Sequence, residues 1–191
     1  MNYNRFFTQH ISQMQASPAL IKLNLGCGDK LLPGYINVDK ATDRKGSKPD
    51  IVADIRDLSS MKASIADEIL AVHVIEHFYY WEALPLLQGW QRILKSGGKI
   101  ILECPNLLHA CQMIINNPDK ATLPDQNGQM SMWPLYGDPS WRDPLMCHKW
   151  AYTPQSLSKI LQQAGFTNVK QEPAEYKLRE PRDMRVTGIK P

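Results

Sequence analysis

His73-Val74-Ile75-Glu76-His77 puts two imidazoles and a carboxylate within five consecutive residues. Such a group can bind a divalent metal or exchange protons near neutral pH, because imidazole titrates at about pH 6.5. The backbone decides which. On a helix the H-x-x-E-H pattern aligns both histidines on one face, as a zinc-dependent hydrolase requires. Here the preceding residues read "EILAV" (Glu68 to Val72), an apolar run of the kind found in a strand covered on both faces. His73 is therefore expected at the end of a strand, with Glu76 and His77 opening the next helix or its loop. The metallopeptidase reading fails on those flanks.

A second group lies upstream. Gly26-Cys27-Gly28 follows the short β-rich run "IKLNL", so a ligand can approach the backbone without meeting a Cβ. Asp39 ends "YINVD" (Tyr35 to Asp39), where a carboxylate can accept from both hydroxyls of a ribose. Asp54 closes "DIVADI" (Asp50 to Ile55), placed to accept from an exocyclic adenine amine. The dinucleotide fingerprint G-x-G-x-x-G is broken by Leu31 at its third glycine. The stretch from Gly28 to Tyr35 is too short for the helix that would receive a pyrophosphate. A nucleoside with a short, phosphate-free arm fits this pattern best.

These residues need elements to hold them at one place. After the fourth strand, Leu84, Leu87, Trp90 and Leu94 recur at helical spacing, and Pro85 interrupts only a first turn. "SGGKIILEC" gives a turn and a fifth strand ending at Cys104, and a helix is expected from Asn106 to Asn117. Five prolines between Pro118 and Pro144 are expected to prevent regular structure over residues 118–147, an insertion carrying Trp133, Tyr136 and Trp141. Thr153 as N-cap and Pro154 at the first helical position start a helix that ends at Gly165. "FTNVKQE" and "MRVTGIK" read as two last strands. Strands alternating with helices predict a parallel sheet covered on both faces, with its ligand beyond the carboxyl ends of the strands. Gly26 to Gly28, Asp39, Asp54, His73 and Cys104 all fall at such ends.

Composition narrows the class. Of 191 residues, 43% are hydrophobic and 21% charged, as in a globular domain, and the length suits one domain. A net charge of +3 argues against nucleic acid or an anionic membrane as partner. No apolar run approaches a bilayer span, and "MNYNRFFTQHISQMQ" lacks the apolar core of a signal peptide. Residues 1–18 are expected to form a short docking helix. Four cysteines without a C-x-x-C pair fit reduced thiols and a cytoplasmic protein.

The order of these motifs resembles the class I S-adenosylmethionine-dependent methyltransferases, especially the "type 11" group. "LNLGCG", "INVD", "ADIRDL", "AVHVIEHF" and "LKSGGKIILECPN" are similar to its first five motifs, and "HKWAYTPQSLSKILQQAGF" to its late helix. The resemblance covers residues 21 to about 170. It implies a Rossmann-like, doubly wound, seven-stranded sheet, mostly parallel with an antiparallel last strand, in a single domain. It also implies that Gly26, Cys27 and Gly28 face the methionine part of S-adenosylmethionine, Asp39 the ribose, Asp54 and Ile55 the adenine, and His73 the sulfonium. Asn24 departs from the acidic residue often found in the first motif.

On the acceptor side the expected catalytic residues are His77, His148 and Glu76, acting as bases toward a hydroxyl. Some O-methyltransferases of this superfamily carry E-x-x-E-H at this point and hold a divalent cation. The resemblance would make His73, Glu76, His77 and His148 such a cluster. The simpler reading, in which Glu76 and His77 cap the following helix, is preferred to a metal. The expected activity is methyl transfer to a small-molecule or carbohydrate acceptor, with a non-catalytic nucleoside-binding module as the alternative. A nucleotide-sugar or NAD enzyme is disfavoured by Leu31 and the missing helix.

Overall fold

The computed structural model describes residues 20–176 and 181–191. The expected docking helix at residues 1–18 lies outside them. Seven strands form one sheet: β1 (Lys22–Leu25), β2 (Ile36–Asp39), β3 (Ile51–Val52), β4 (Ala66–Val72), β5 (Leu94–Pro105), β6 (Thr167–Glu172) and β7 (Asp183–Ile189). Their order is β3-β2-β1-β4-β5-β7-β6. The first five run parallel, and β7 lies antiparallel between β5 and β6. The doubly wound architecture and the antiparallel last strand follow the sequence expectation.

The main helices are α1 (Tyr80–Ile93), α2 (Leu107–Asn116) and, after two short ones, α5 (Pro154–Gln163). Alternation along the strands separates the two faces of the sheet. Leu23, Leu25, Ile69, Ala71, Ile100, Leu102 and Val186 form one core with Leu87 and Trp90 of α1 and Leu157 and Leu161 of α5. Some intervening positions are apolar, such as Leu70 and Ile101, and others are polar yet buried: Asn24, Asn37, Glu103, Arg185 and Thr187. Burial of Asn24, Asn37, Glu103 and Arg185 is tolerated because they pair. Asn24 donates to Asn37 at 2.9 Å, and Arg185 Nε donates to Glu103 at 2.8 Å.

Two expectations change. The segment Pro118 to Cys147 is not devoid of regular structure: it holds α3 (Pro118–Ala121), α4 (Met132–Tyr136) and 3-10 turns at Gln126–Met130 and Pro144–Met146. Proline at a first helical position keeps its fixed φ and loses no bond there, so Pro118 and Pro144 start turns instead of preventing them. Glu76 and His77 do not cap α1. Glu82 does, accepting from the Tyr79 N–H at 2.8 Å. Among the described residues no helix is long and apolar enough to cross a membrane.

Candidate functional site

The chain after β1 turns back on itself at once. Gly26 has φ +71°, and the N–H groups of Gly26 and Cys27 both reach the Val38 carbonyl, at 2.8 and 3.1 Å. A Cβ on Gly26 would lie 2.7 Å from Val74 Cγ2, so glycine is needed for both conformation and space. Gly28, at φ +56°, faces nothing within 4 Å where its Cβ would stand. The backbone there is bare toward the cleft.

Asp39 at the end of β2 is only 8% exposed, and it braces this turn. Its Oδ2 accepts from the Gly28 N–H at 2.9 Å and its Oδ1 from Ala41 at 2.8 Å, with Arg44 Nε 3.9 Å away. Each oxygen keeps lone-pair capacity for a further donor. Asp54 is more heavily engaged. Arg56 grips both its oxygens and Lys40 Nζ sits at 3.2 Å, so the Arg56 hydrogen bond holds its carboxyl far below the usual range. Ile55 accepts the Trp90 indole N–H at 2.9 Å, tying the third strand's loop to α1.

All these positions open on one cleft of about 470 Å³. Gly26, Cys27, Gly28, Asp39, Asp54 and Ile55 line one side. His73, His77, Phe78 and His148 line the other, and Trp133, Trp141, Leu145 and Met146 of the insertion form its roof. A loop after β2 holds that roof: Arg44 Nη1 lies 4.0 Å from Asp143, and Lys45 Nζ lies 3.9 Å over the Trp141 ring. Lys149 and Arg182 also line the cleft, although the sequence motifs gave no reason to select them.

His73 directly follows β4 in a left-handed conformation, φ +55°, that few side chains adopt. Its ring lies between two buried carboxylates, with Nδ1 3.3 Å from Glu76 and Nε2 3.3 Å from Asp183. Asp183, at the start of β7, was not foreseen: it meets His73 only because β7 pairs with β5. Glu76 sits in the 3-10 turn Ile75–His77 and is 1% exposed. Burial pushes its carboxyl up, but pairing with His73 and the charges of His148 and His77 outweigh that and hold it well below the usual range.

The irregular run 148–150 is strapped to this turn. The Glu76 carbonyl accepts from Lys149 and Trp150 N–H, at 2.7 and 3.2 Å. His77 Nδ1 lies 3.2 Å from the Cys147 carbonyl and His148 Nδ1 lies 2.9 Å from the Pro134 carbonyl. Both rings therefore donate from Nδ1, which leaves a lone pair on each Nε2. The rings meet edge to face, 4.9 Å between centroids. Burial lowers the His77 pKa, partly offset by the neighbouring Glu76 carboxylate. Glu76, His77 and His148 each bring one donor atom within 4.8 Å of the others. Those three could hold a metal, whereas His73 is not among them. The thiols of Cys27 and Cys104 are pushed up by burial, Cys27 to about 12, and are not nucleophiles.

Sequence comparison matches residues 3–171 to a family described as "Methyltransferase domain". No curated protein matches the chain significantly. Among solved structures it is similar to a SAM-dependent methyltransferase from Archaeoglobus fulgidus (19% identical, TM-score 0.60, covering 98% of this chain and 92% of that one). A protein from Pyrococcus horikoshii is similar too (18% identical, TM-score 0.60, 98% and 90% covered). So is human N-acetylserotonin methyltransferase in complex with SAM (15% identical, TM-score 0.54), with 89% of this chain covering 47% of that one.

Proposed function

Since the chain belongs to the methyltransferase-domain family of the S-adenosylmethionine-dependent class, we propose that it moves a methyl group from that donor to a hydroxyl of a small-molecule or carbohydrate acceptor. The observation that carries the reading is the single cleft lined by Gly26 to Gly28, Asp39 and Asp54 on one side and by His77 and His148 on the other. The residues present fit the donor: bare backbone at Gly28, and at Asp39 a buried carboxylate with acceptor capacity left. S-adenosylmethionine supplies an electrophilic methyl and a good leaving thioether.

The protein's own residues then have four tasks. Gly26, Cys27 and Gly28 admit the amino-acid arm along the backbone. Asp39 accepts from the ribose hydroxyls. Asp54 and Ile55 bound the adenine end, although Arg56 and Lys40 compete for the Asp54 carboxylate. His73 stands at the junction between donor and acceptor sides. The cluster of Glu76, His77 and His148 takes the acceptor proton, and Trp133 and Trp141 exclude water so that alignment lowers the barrier. Four free cysteines support a reducing, cytoplasmic setting.

The test uses purified full-length protein and S-adenosylhomocysteine, the spent donor. Calorimetry is expected to show one site, weakened at least tenfold by Asp39→Ala. Methyl transfer from labelled donor to a panel of hydroxyl acceptors is expected to drop at least 100-fold in His77→Ala or His148→Ala, with donor affinity within threefold of wild type. Binding without turnover on any acceptor would favour a non-catalytic module. Absence of binding would defeat the proposal.

A further inference from the structure

Residues 79–81 and 149–150 set four aromatic rings beside the acceptor end of the cleft. One turn holds both stretches: the Glu76 carbonyl accepts from the Lys149 and Trp150 N–H groups, and α1 begins at Tyr80. Phe78, Glu82 and Lys149 line the cleft itself, so the rings continue its wall outward. Tyr79 and Trp81 stack, with centroids 4.6 Å apart and planes 6° from parallel. Tyr80 and Trp150 meet at 5.1 Å, and Lys149 Nζ lies 4.9 Å over the Tyr79 ring. Solvent reaches all four: Trp81 is 71% exposed, Tyr80 53%, Trp150 45% and Tyr79 43%. Rings that served only the core would be buried, and large apolar side chains exposed together mark a binding surface.

The make-up of the patch selects its occupant. Every large hydrophobic residue exposed over 76–84 and 147–152 is aromatic, and no aliphatic one joins them. A lipid surface or a partner protein would call for leucine, isoleucine or methionine as well. A pyranose ring suits aromatic faces alone: its C–H hydrogens are weakly positive and meet the negative face of the π system. Its hydroxyls then need donors and acceptors at the rim. Lys149 and Glu82 stand there on the cleft side, and Tyr79 and Tyr80 carry hydroxyls of their own. Size points the same way. A cleft of about 470 Å³ suits one ligand of moderate size. The donor and the reacting end of the acceptor fill it, so any further sugar units lie outside, over the rings. We propose that Tyr79, Tyr80, Trp81 and Trp150, with Lys149, form a carbohydrate subsite. It holds an oligosaccharide acceptor by the units next to the one that enters the cleft.

Sugar binding stands on the exposed rings, whereas its use as an acceptor subsite rests on the O-methylation reading. The experiment therefore has two arms on the full chain, with spent donor present. In the first, an array of short oligosaccharides is screened and the best binder is titrated by calorimetry. At least one is expected to bind, with affinity falling at least tenfold in Trp81→Ala and in Trp150→Ala. Trp81→Tyr is expected to recover most of that loss, because a second aromatic face replaces the first. Circular dichroism and spent-donor affinity are expected to stay at wild-type values, which excludes misfolding as the cause. No binding to any oligosaccharide of the array, or equal binding by both alanine variants, overturns the subsite. Adhesion to phosphatidylglycerol vesicles, or a dimer in sedimentation, that disappears in the same variants also overturns it, since the rings would then serve a lipid or a second copy of the chain. In the second arm, transfer of labelled methyl to the bound oligosaccharide is measured. A sugar that binds through the rings but accepts no methyl group keeps the subsite and defeats the carbohydrate O-methylation reading. Transfer with KM unchanged in Trp81→Ala removes the subsite and leaves the methyltransferase reading intact.

Discussion

At Gly26 two demands coincide: a left-handed backbone and a gap of 2.7 Å to Val74 where a side chain would begin. Gly26→Ala is expected to cost about 1–3 kcal/mol in thermal unfolding and to weaken the spent donor's binding, since the turn also presents Gly28. An alanine variant with wild-type stability would mean the turn relaxes freely. The four thiols give a second check. Burial raises Cys27 to about 12 and Cys104 well above its ordinary value, whereas Cys111 and Cys147 are exposed. Ellman's reagent at pH 8 is expected to titrate two thiols rapidly in the folded protein and all four in denaturant. Fast reaction of Cys27 would show a more open cleft.

Among the elements, α5 anchors the strap that brings His148 to the site. Its first turn is closed reciprocally: Thr153 Oγ1 accepts from Ser156 N–H at 3.0 Å, and Ser156 Oγ accepts from Thr153 N–H at 2.9 Å. Thr153→Ala is expected to lower stability by about 1 kcal/mol in denaturant titration, with donor affinity unchanged. A far larger loss would mean that the strap, and not merely the cap, had come loose. This helix was legible in advance, because Thr153, Pro154 and Gly165 mark both ends in the local chain. Helices α3 and α4 were not: proline-rich sequence reads as interruption, yet Pro118 and Pro144 each sit where a helical turn begins. The apolar look of β5 also concealed Glu103, which is buried against Arg185.

For the whole molecule, Gly26 to Gly28, Asp39 and Asp54, proposed to hold the donor, follow the carboxyl ends of parallel strands, while the insertion and the strap line the rest of the same cleft. A ligand that bridges the two should stabilise the folded state by mass action. Spent donor at 100 times its dissociation constant is expected to add about 2.7 kcal/mol, a rise in melting temperature of about 5–10 °C for a chain of this size. No shift at saturating ligand would mean that binding leaves the fold's stability untouched, against the proposed site. The clasp of Lys45 on Trp141 and Arg44 on Asp143 belongs to this scale, since it joins the loop after β2 to the roof across the cleft mouth.

Periodicity, turn residues and motif order were enough, by themselves, to specify the doubly wound sheet and to put Gly26, Asp39 and His73 at or just past strand ends, whereas the third strand is shorter than its sequence reads and leaves Asp54 two residues beyond Val52. These are properties of local backbone geometry, and local sequence carries them. Tertiary structure alone decided that His73 rests between Glu76 and Asp183, that Glu82 rather than Glu76 caps α1, and that two carbonyls from the insertion and strap turn the histidines toward Glu76. Asp183 and His73 are 110 residues apart in the chain. Only the antiparallel insertion of β7 beside β5 brings them within contact, and no local pattern encodes that pairing.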